Sequence, residues 1–310
     1  MEELERAEER LENIRSVEPI LGALRTISMG SWKAALRQSD RVQQYEERLS
    51  SILPSLLPLL PVNTPPSGRY LLYSSSSAER EKAQTRVVAA LVVGSERGLV
   101  GRFNRIIVEK VEAYLAEQIA DEVEVELAAM GGRVRRLLQR RGYQLAWSDT
   151  LSIAALPSFE RAFDLTRRWL TRYEARELDA VDLIYNAYHG MDKYHPTVTR
   201  LIPPSLSLKS KAHRDASPRT RSAPIIETDP LSLYTRVVEQ QTAIGLYRVL
   251  LESASAEHAA RYRLLESATQ NIERLIEELT LTIQTARQQE ITQEMEELAV
   301  GAGMLGSQKS

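Results

Sequence analysis

Apolar residues recur at every third or fourth position towards both ends of this 310-residue chain, and gather in short unbroken runs between them. In 1–60, Leu4, Leu11, Ile14, Val17, Leu21, Leu24 and Ile27 fall on one stripe of a helix. Glu, Arg, Leu and Ala, all good helix formers, dominate that segment. Pro19 lies inside it, and the lost hydrogen bond and ring clash predict a kink there. From Pro54 the prolines end the helix, and PVNTPPSG with SSSSAEREKAQ reads as a linker over 61–84.

The middle segment, 85–208, changes period. The run 87–93 is β-branched-rich and closed by Gly94, as expected of a strand buried on both faces. A helix over 104–119 follows, then a strand over 123–130 closed by Gly131 and Gly132, a third over 143–147, a helix over 159–175, and strands over 181–188 and 198–202. Strands alternating with helices imply βαβ units and a mainly parallel sheet. A polar, basic linker (209–228) leads to a segment, 229–305, with no proline after Pro230. There Tyr262, Leu265, Thr269, Ile272, Ile276, Leu279, Ile283 and Ala286 keep a 3-4 heptad spacing, the mark of a coiled coil. Roughly 75 helical residues would make a rod of roughly 110 Å, too long to bury its stripe against a domain of ordinary size. The predicted class is therefore α/β plus long coiled coil. The terminal helices pair antiparallel, a Rossmann-like α/β domain is inserted between them, and 306–310 form a tail.

Composition narrows the function. A net charge of −2 gives no support for nucleic-acid binding. Absence of cysteine excludes disulfides, iron–sulfur clusters and thiolate zinc sites. No run of about 18 apolar residues exists, so no direct membrane insertion is expected. The acidic start, MEELERAEER, fits neither a signal nor a transit peptide, which predicts a cytoplasmic protein of bacterium-like source.

Candidate chemistry is sparse. GSERGLVGRFN, with Gly94, Arg97, Gly98, Gly101 and Asn104, follows a strand and opens a helix, where phosphate loops usually sit. It is neither G-x-G-x-x-G nor a P-loop, so it reads as a tight turn. His189 and His195 are six apart, which is not metal-ligand spacing on a helix. Arg135, Arg136, Arg140 and Arg141 read as an exposed helix face or a docking surface for an acidic loop. No G-x-S-x-G or H-E-x-x-H occurs, so no catalytic residue, cofactor or metal is expected. The turn leaves open a nucleotide-dependent enzyme with a helical arm, and the long helices a helical-hairpin scaffold.

The C-terminal run is the specific signal. Ala286, Arg287, Gln288, Ile291, Thr292, Gln293 and Glu294 spell A-R-Q-x-x-I-T-Q-E, preceded by A-S-x-E-x-A-A-R (Ala254 to Arg261) and A-T-x-N (Ala268, Thr269, Asn271). Over nearly its whole length the chain resembles the gamma family of F-type ATP synthases. The turn Ser95 to Asn104 is similar to that family's S-D-R-G-L-C-G-x-x-N, and Ile20 to Ser28 more loosely to its I-T-x-A-M-x-M-V-A. Pro19 stands where the family usually has a polar or basic residue, and the basic run that follows is reduced to Trp32, Lys33 and Arg37.

The resemblance implies a rotor shaft with no active site, turning inside a ring of α and β subunits and coupling ion flow to ATP synthesis or hydrolysis. Its inserted domain would bind the epsilon subunit and the c-subunit ring, at the cytoplasmic face of the cell membrane. A specialised rotary ATPase shaft is the nearest alternative. By resemblance Arg261, Arg287, Gln288, Thr292, Gln293 and Glu294 contact the β subunits. Leu298, Val300, Met304 and Leu305 would turn in a bearing.

Overall fold

The computed structural model describes residues 2–56, 59–60, 86–152, 155–191, 193–203 and 228–301. Most of both expected linkers lies outside these residues, as do Met304 and Leu305. The chain forms two compact units, residues 29–261 and residues 1–28 with 262–310, and each long helix contributes to both.

The larger unit is built on a five-stranded sheet in the order β3-β2-β1-β4-β5. The strands are β1 (Arg86–Val93), β2 (Val123–Met130), β3 (Trp147–Asp149), β4 (Ala180–Tyr188) and β5 (Tyr194–Ile202). The first four run parallel, and β5 returns antiparallel to β4. The mainly parallel sheet was therefore legible. Two details differ from expectation: β3 starts at Trp147 rather than Tyr143, and β5 starts at Tyr194 rather than Val198. Both are edge strands, whose half-exposed residues and Pro196 give no clean alternation to read.

Pleating sends alternate residues to opposite faces. Ala89, Leu91 and Val93 of β1 enter one core with Trp169 and Tyr173 of α5 (Phe159–Glu174) and Tyr234, Ile244 and Leu251 of α6 (Pro230–Gly301). Ala90 and Val92 enter the other, with Phe103, Ile107 and Val111 of α3 (Phe103–Ala120), Val134 and Leu138 of α4 (Gly132–Arg140), and Ala256 and Ala260 of α6. The sheet is thus covered on both faces, which explains why its central strands are unbroken apolar runs. Helix α1 (Glu2–Ser50) adds Val42 and the short α2 (Leu53–Leu56) adds Leu53 and Leu56 to the first core. Arg248 of α6 pairs with Glu46 at 3.2 Å, and Gln241 with Ser50 at 3.0 Å. Later α1 residues thus meet earlier α6 residues, so the two helices are antiparallel here.

The smaller unit is a helix pair, also antiparallel: Arg25 bonds Glu266 at 2.9 Å and Arg287 pairs with Glu8. On α6, all eight residues of the expected seam, Tyr262 to Ala286, are buried or half-buried. On α1 the seam differs from expectation. Leu4, Leu11, Ile14 and Leu21 are covered, but Val17 and Ile27 are exposed, Ile27 by 62%. Glu18, Arg25 and Ser28 take the covered positions, keeping a 3-4 phase from Leu21. Polar residues are tolerated there because Arg25 finds Glu266, and the Ser28 hydroxyl donates to the Leu24 carbonyl at 2.7 Å. Helix α1 runs unbroken through the exposed Pro19.

Candidate functional site

The turn after β1 is held from within. Gly94 N–H donates to the Met130 carbonyl at 2.9 Å, extending the parallel ladder one step. A Cβ on Gly94 would lie 2.4 Å from Cβ of Val134, so only glycine lets α4 approach. The buried Asn104 side chain closes the loop: its Oδ1 accepts from Ser95 N–H at 2.9 Å, and its Nδ2 donates to Ser95 Oγ at 2.7 Å. Ser95 Oγ in turn donates to the Arg97 carbonyl at 2.6 Å. Leu99 (φ 59°) and Gly101 (φ 57°) both take left-handed backbone, natural for glycine and strained for leucine. Arg97 and Leu99 project outward.

An anion-binding place does form next to this turn, at the N-terminus of α4, where unpaired N–H groups favour negative charge. The chain fills it itself. Glu96 Oε2 accepts from Gly132 N–H at 2.8 Å and from Leu151 N–H at 3.0 Å. A Cβ on Gly132 would come within 2.6 Å of Glu96 Oε1.

From α6, Arg261 reaches the same turn. Its side chain is only 13% exposed; Nε donates to the Gly98 carbonyl at 3.4 Å and NH2 to Glu257 Oε1 at 2.5 Å. NH1 lies 3.2 Å from Nδ1 of His258. Burial pushes the His258 ring down to about 4, with the Arg261 charge adding to it. Burial also raises the Glu257 carboxyl, against the pull of Arg261. Arg261, expected to contact a partner, makes these contacts inside the chain, where it holds the turn.

In the smaller unit, Arg287 pairs with Glu8, while Gln288, Thr292, Gln293 and Glu294 are exposed on α6. Since Glu8 lies beside Arg287 in an antiparallel pair, the start of α1 falls level with about Gln293. Beyond it α6 continues to Gly301, past the first described residue of α1. Ile291 (56% exposed), just before that level, and Met295 (66%) and Leu298 (73%), beyond it, follow one another at helical spacing, and Val300 is also exposed. Ile291 and Met295 were not expected in this exposed apolar stripe; the signal was their spacing to Leu298. Among the described residues, no helix is long and apolar enough to cross a membrane.

A family model described as ATP synthase matches residues 3–305. The ATP synthase gamma chain of Anaeromyxobacter dehalogenans is 31% identical over 304 residues, 96% of this chain and 97% of that one. The chain belongs to the ATP synthase gamma family. The gamma chain of Parabacteroides distasonis is 29% identical over 295 residues, 95% of this chain and 96% of the relative. The fold agrees with two rotor-containing cryo-EM structures of the Euglena gracilis mitochondrial ATP synthase. One is a chain of its OSCP/F1/c-ring assembly (TM-score 0.60, 15% identity, 99% of this chain and 96% of that one). The other is a chain of its rotor (TM-score 0.55, 14% identity, 93% and 98%). As a gamma-family member, the chain is a subunit of an enzyme complex and has the role of its central shaft.

Proposed function

We propose that this chain carries no catalysis of its own and passes torque between a membrane ring and the catalytic subunits of ATP synthase. The observation that carries this reading is the exposed end of α6, where Met295 and Leu298, beyond the start of α1, continue an exposed apolar stripe from Ile291. An apolar stripe left bare by the described residues suits a sleeve formed by partners. Leu298 and Val300, with Met304 and Leu305 further along the sequence, would turn in that sleeve. Gln288, Thr292, Gln293 and Glu294 would exchange hydrogen bonds with β-subunit loops, joined by Arg287 when it leaves Glu8. Coupling then requires that these contacts differ between open and closed β subunits, since only differential affinity shifts a conformational equilibrium. The α/β domain, with Arg97 and Leu99 on its outer turn, would bind the epsilon subunit and the c-ring. The chain would then sit peripherally at the cytoplasmic face of the membrane.

The test is purification of the tagged chain from its native cells, with subunit identification and assays of ATPase activity and ion pumping. Stoichiometric α and β subunits, with coupling weakened by truncation before Arg287, are expected. A chain that purifies alone or with unrelated partners would return the scaffold reading to the front.

A further inference from the structure

His189 and His195 look unrelated in the sequence, but the β4–β5 hairpin brings them together. Ala187 pairs with His195 and Tyr188 with Tyr194, and the His189 N–H donates to the Lys193 carbonyl at 2.9 Å, continuing the ladder to the tip. His189 and His195 are therefore diagonal cross-strand neighbours on one face of the hairpin. Their ring centres lie 5.2 Å apart with planes inclined at 51°. Two imidazoles on one tetrahedral ion, with metal–nitrogen bonds of about 2.0–2.1 Å, have ring centres about 5 Å apart.

We propose that His189 and His195 form a two-imidazole site for a divalent transition metal of the zinc, nickel or copper kind. Both rings are exposed, and no hydrogen bond among the described residues uses either ring. Imidazole is the ligand of choice for these ions, whereas magnesium and calcium prefer oxygen. The described residues hold no cluster of three or more histidine, aspartate or glutamate side chains able to bind a metal, so among them the ion has two ligands, with water in its open positions. Competition is small: the chain has no cysteine, and its four histidines include the buried His258, whose ring is beside Arg261. His213 lies outside the described residues.

The experiment is calorimetric titration of the purified full chain with zinc chloride at neutral pH, alongside H189Q, H195Q and H213Q. The expected result is one zinc ion per chain, bound unchanged by H213Q and weakened roughly 100-fold by either hairpin substitution, because each removes the second tethered ligand. Zinc should raise the melting temperature of the wild-type chain but not of H189Q or H195Q, all three melting alike without metal. Undiminished zinc binding in either hairpin variant, or no binding up to millimolar zinc, would overturn the proposal.

Discussion

Arg261 shows how one buried charge ties a helix to a turn. Its guanidinium serves Glu257, His258 and the Gly98 carbonyl at once. Removing it leaves a buried carboxylate without its cation, which is worse than never having the pair. Arg261→Gln should therefore cost about 3 kcal/mol of stability, read by urea denaturation, while Arg261→Lys costs less. A loss below about 1 kcal/mol would show that the pair does not hold the turn. His258 makes a second prediction. Its folded pKa, about 4, lies below the unfolded value near 6.5, so between these the unfolded chain binds the extra proton. Its contribution is thus present above pH 6.5 and lost as pH falls towards 4, by roughly 3 kcal/mol in all. Glu257, whose pKa is raised, acts in the opposite sense: its burial costs stability as pH rises through its folded pKa. The comparison must therefore be wild type against His258→Gln across pH 4–7, and a gap that does not change with pH would refute the assignment.

The helix pair of the smaller unit carries the next two predictions. Leu265 and Ile283 are its most buried apolar residues on α6, and Arg25 with Glu266 fixes the register between them. Leu265→Ala should cost about 2–5 kcal/mol, the transfer and cavity penalty for a buried leucine, and show as a lower melting temperature. Pro19 is the opposite case. It is exposed, and the helix passes through it without a break, so alanine there needs no repacking. Pro19→Ala should stabilise α1 by about 1–3 kcal/mol, seen as slower amide exchange on either side; unchanged or faster exchange would contradict this. The α6 seam was legible because its apolar residues keep strict heptad phase. The α1 seam was not fully legible, because Glu18, Arg25 and Ser28 sit where hydrophobic counting looks for leucine. Glu266, the partner of Arg25, becomes visible only once the helices are paired, whereas Ser28 bonds back to the Leu24 carbonyl of its own helix.

For the whole molecule, the uncovered end of α6 predicts a separation of stability from function. Deleting 291–310 removes Ile291, Met295 and Leu298, which are more than half exposed among the described residues. The melting temperature of the isolated chain should stay within about 2 °C, while its affinity for the α and β subunits falls. A marked loss of stability would mean that this segment packs onto its own chain. The order of helix, α/β domain and helix followed from the sequence alone, because hydrophobic period is local and changes from heptad to continuous run and back. The same holds for the absence of any recognised catalytic motif and for the gamma-family motifs of the C-terminal helix. Two features depended on residues far apart in sequence meeting in space, Glu96 seated on the N-terminus of α4 and Arg261 turned inward to Gly98, and a third, His189 laid beside His195, on the register of a hairpin. Hydrogen bonds and ion contacts act over a few ångströms whatever the separation along the chain, so only the tertiary structure could decide them.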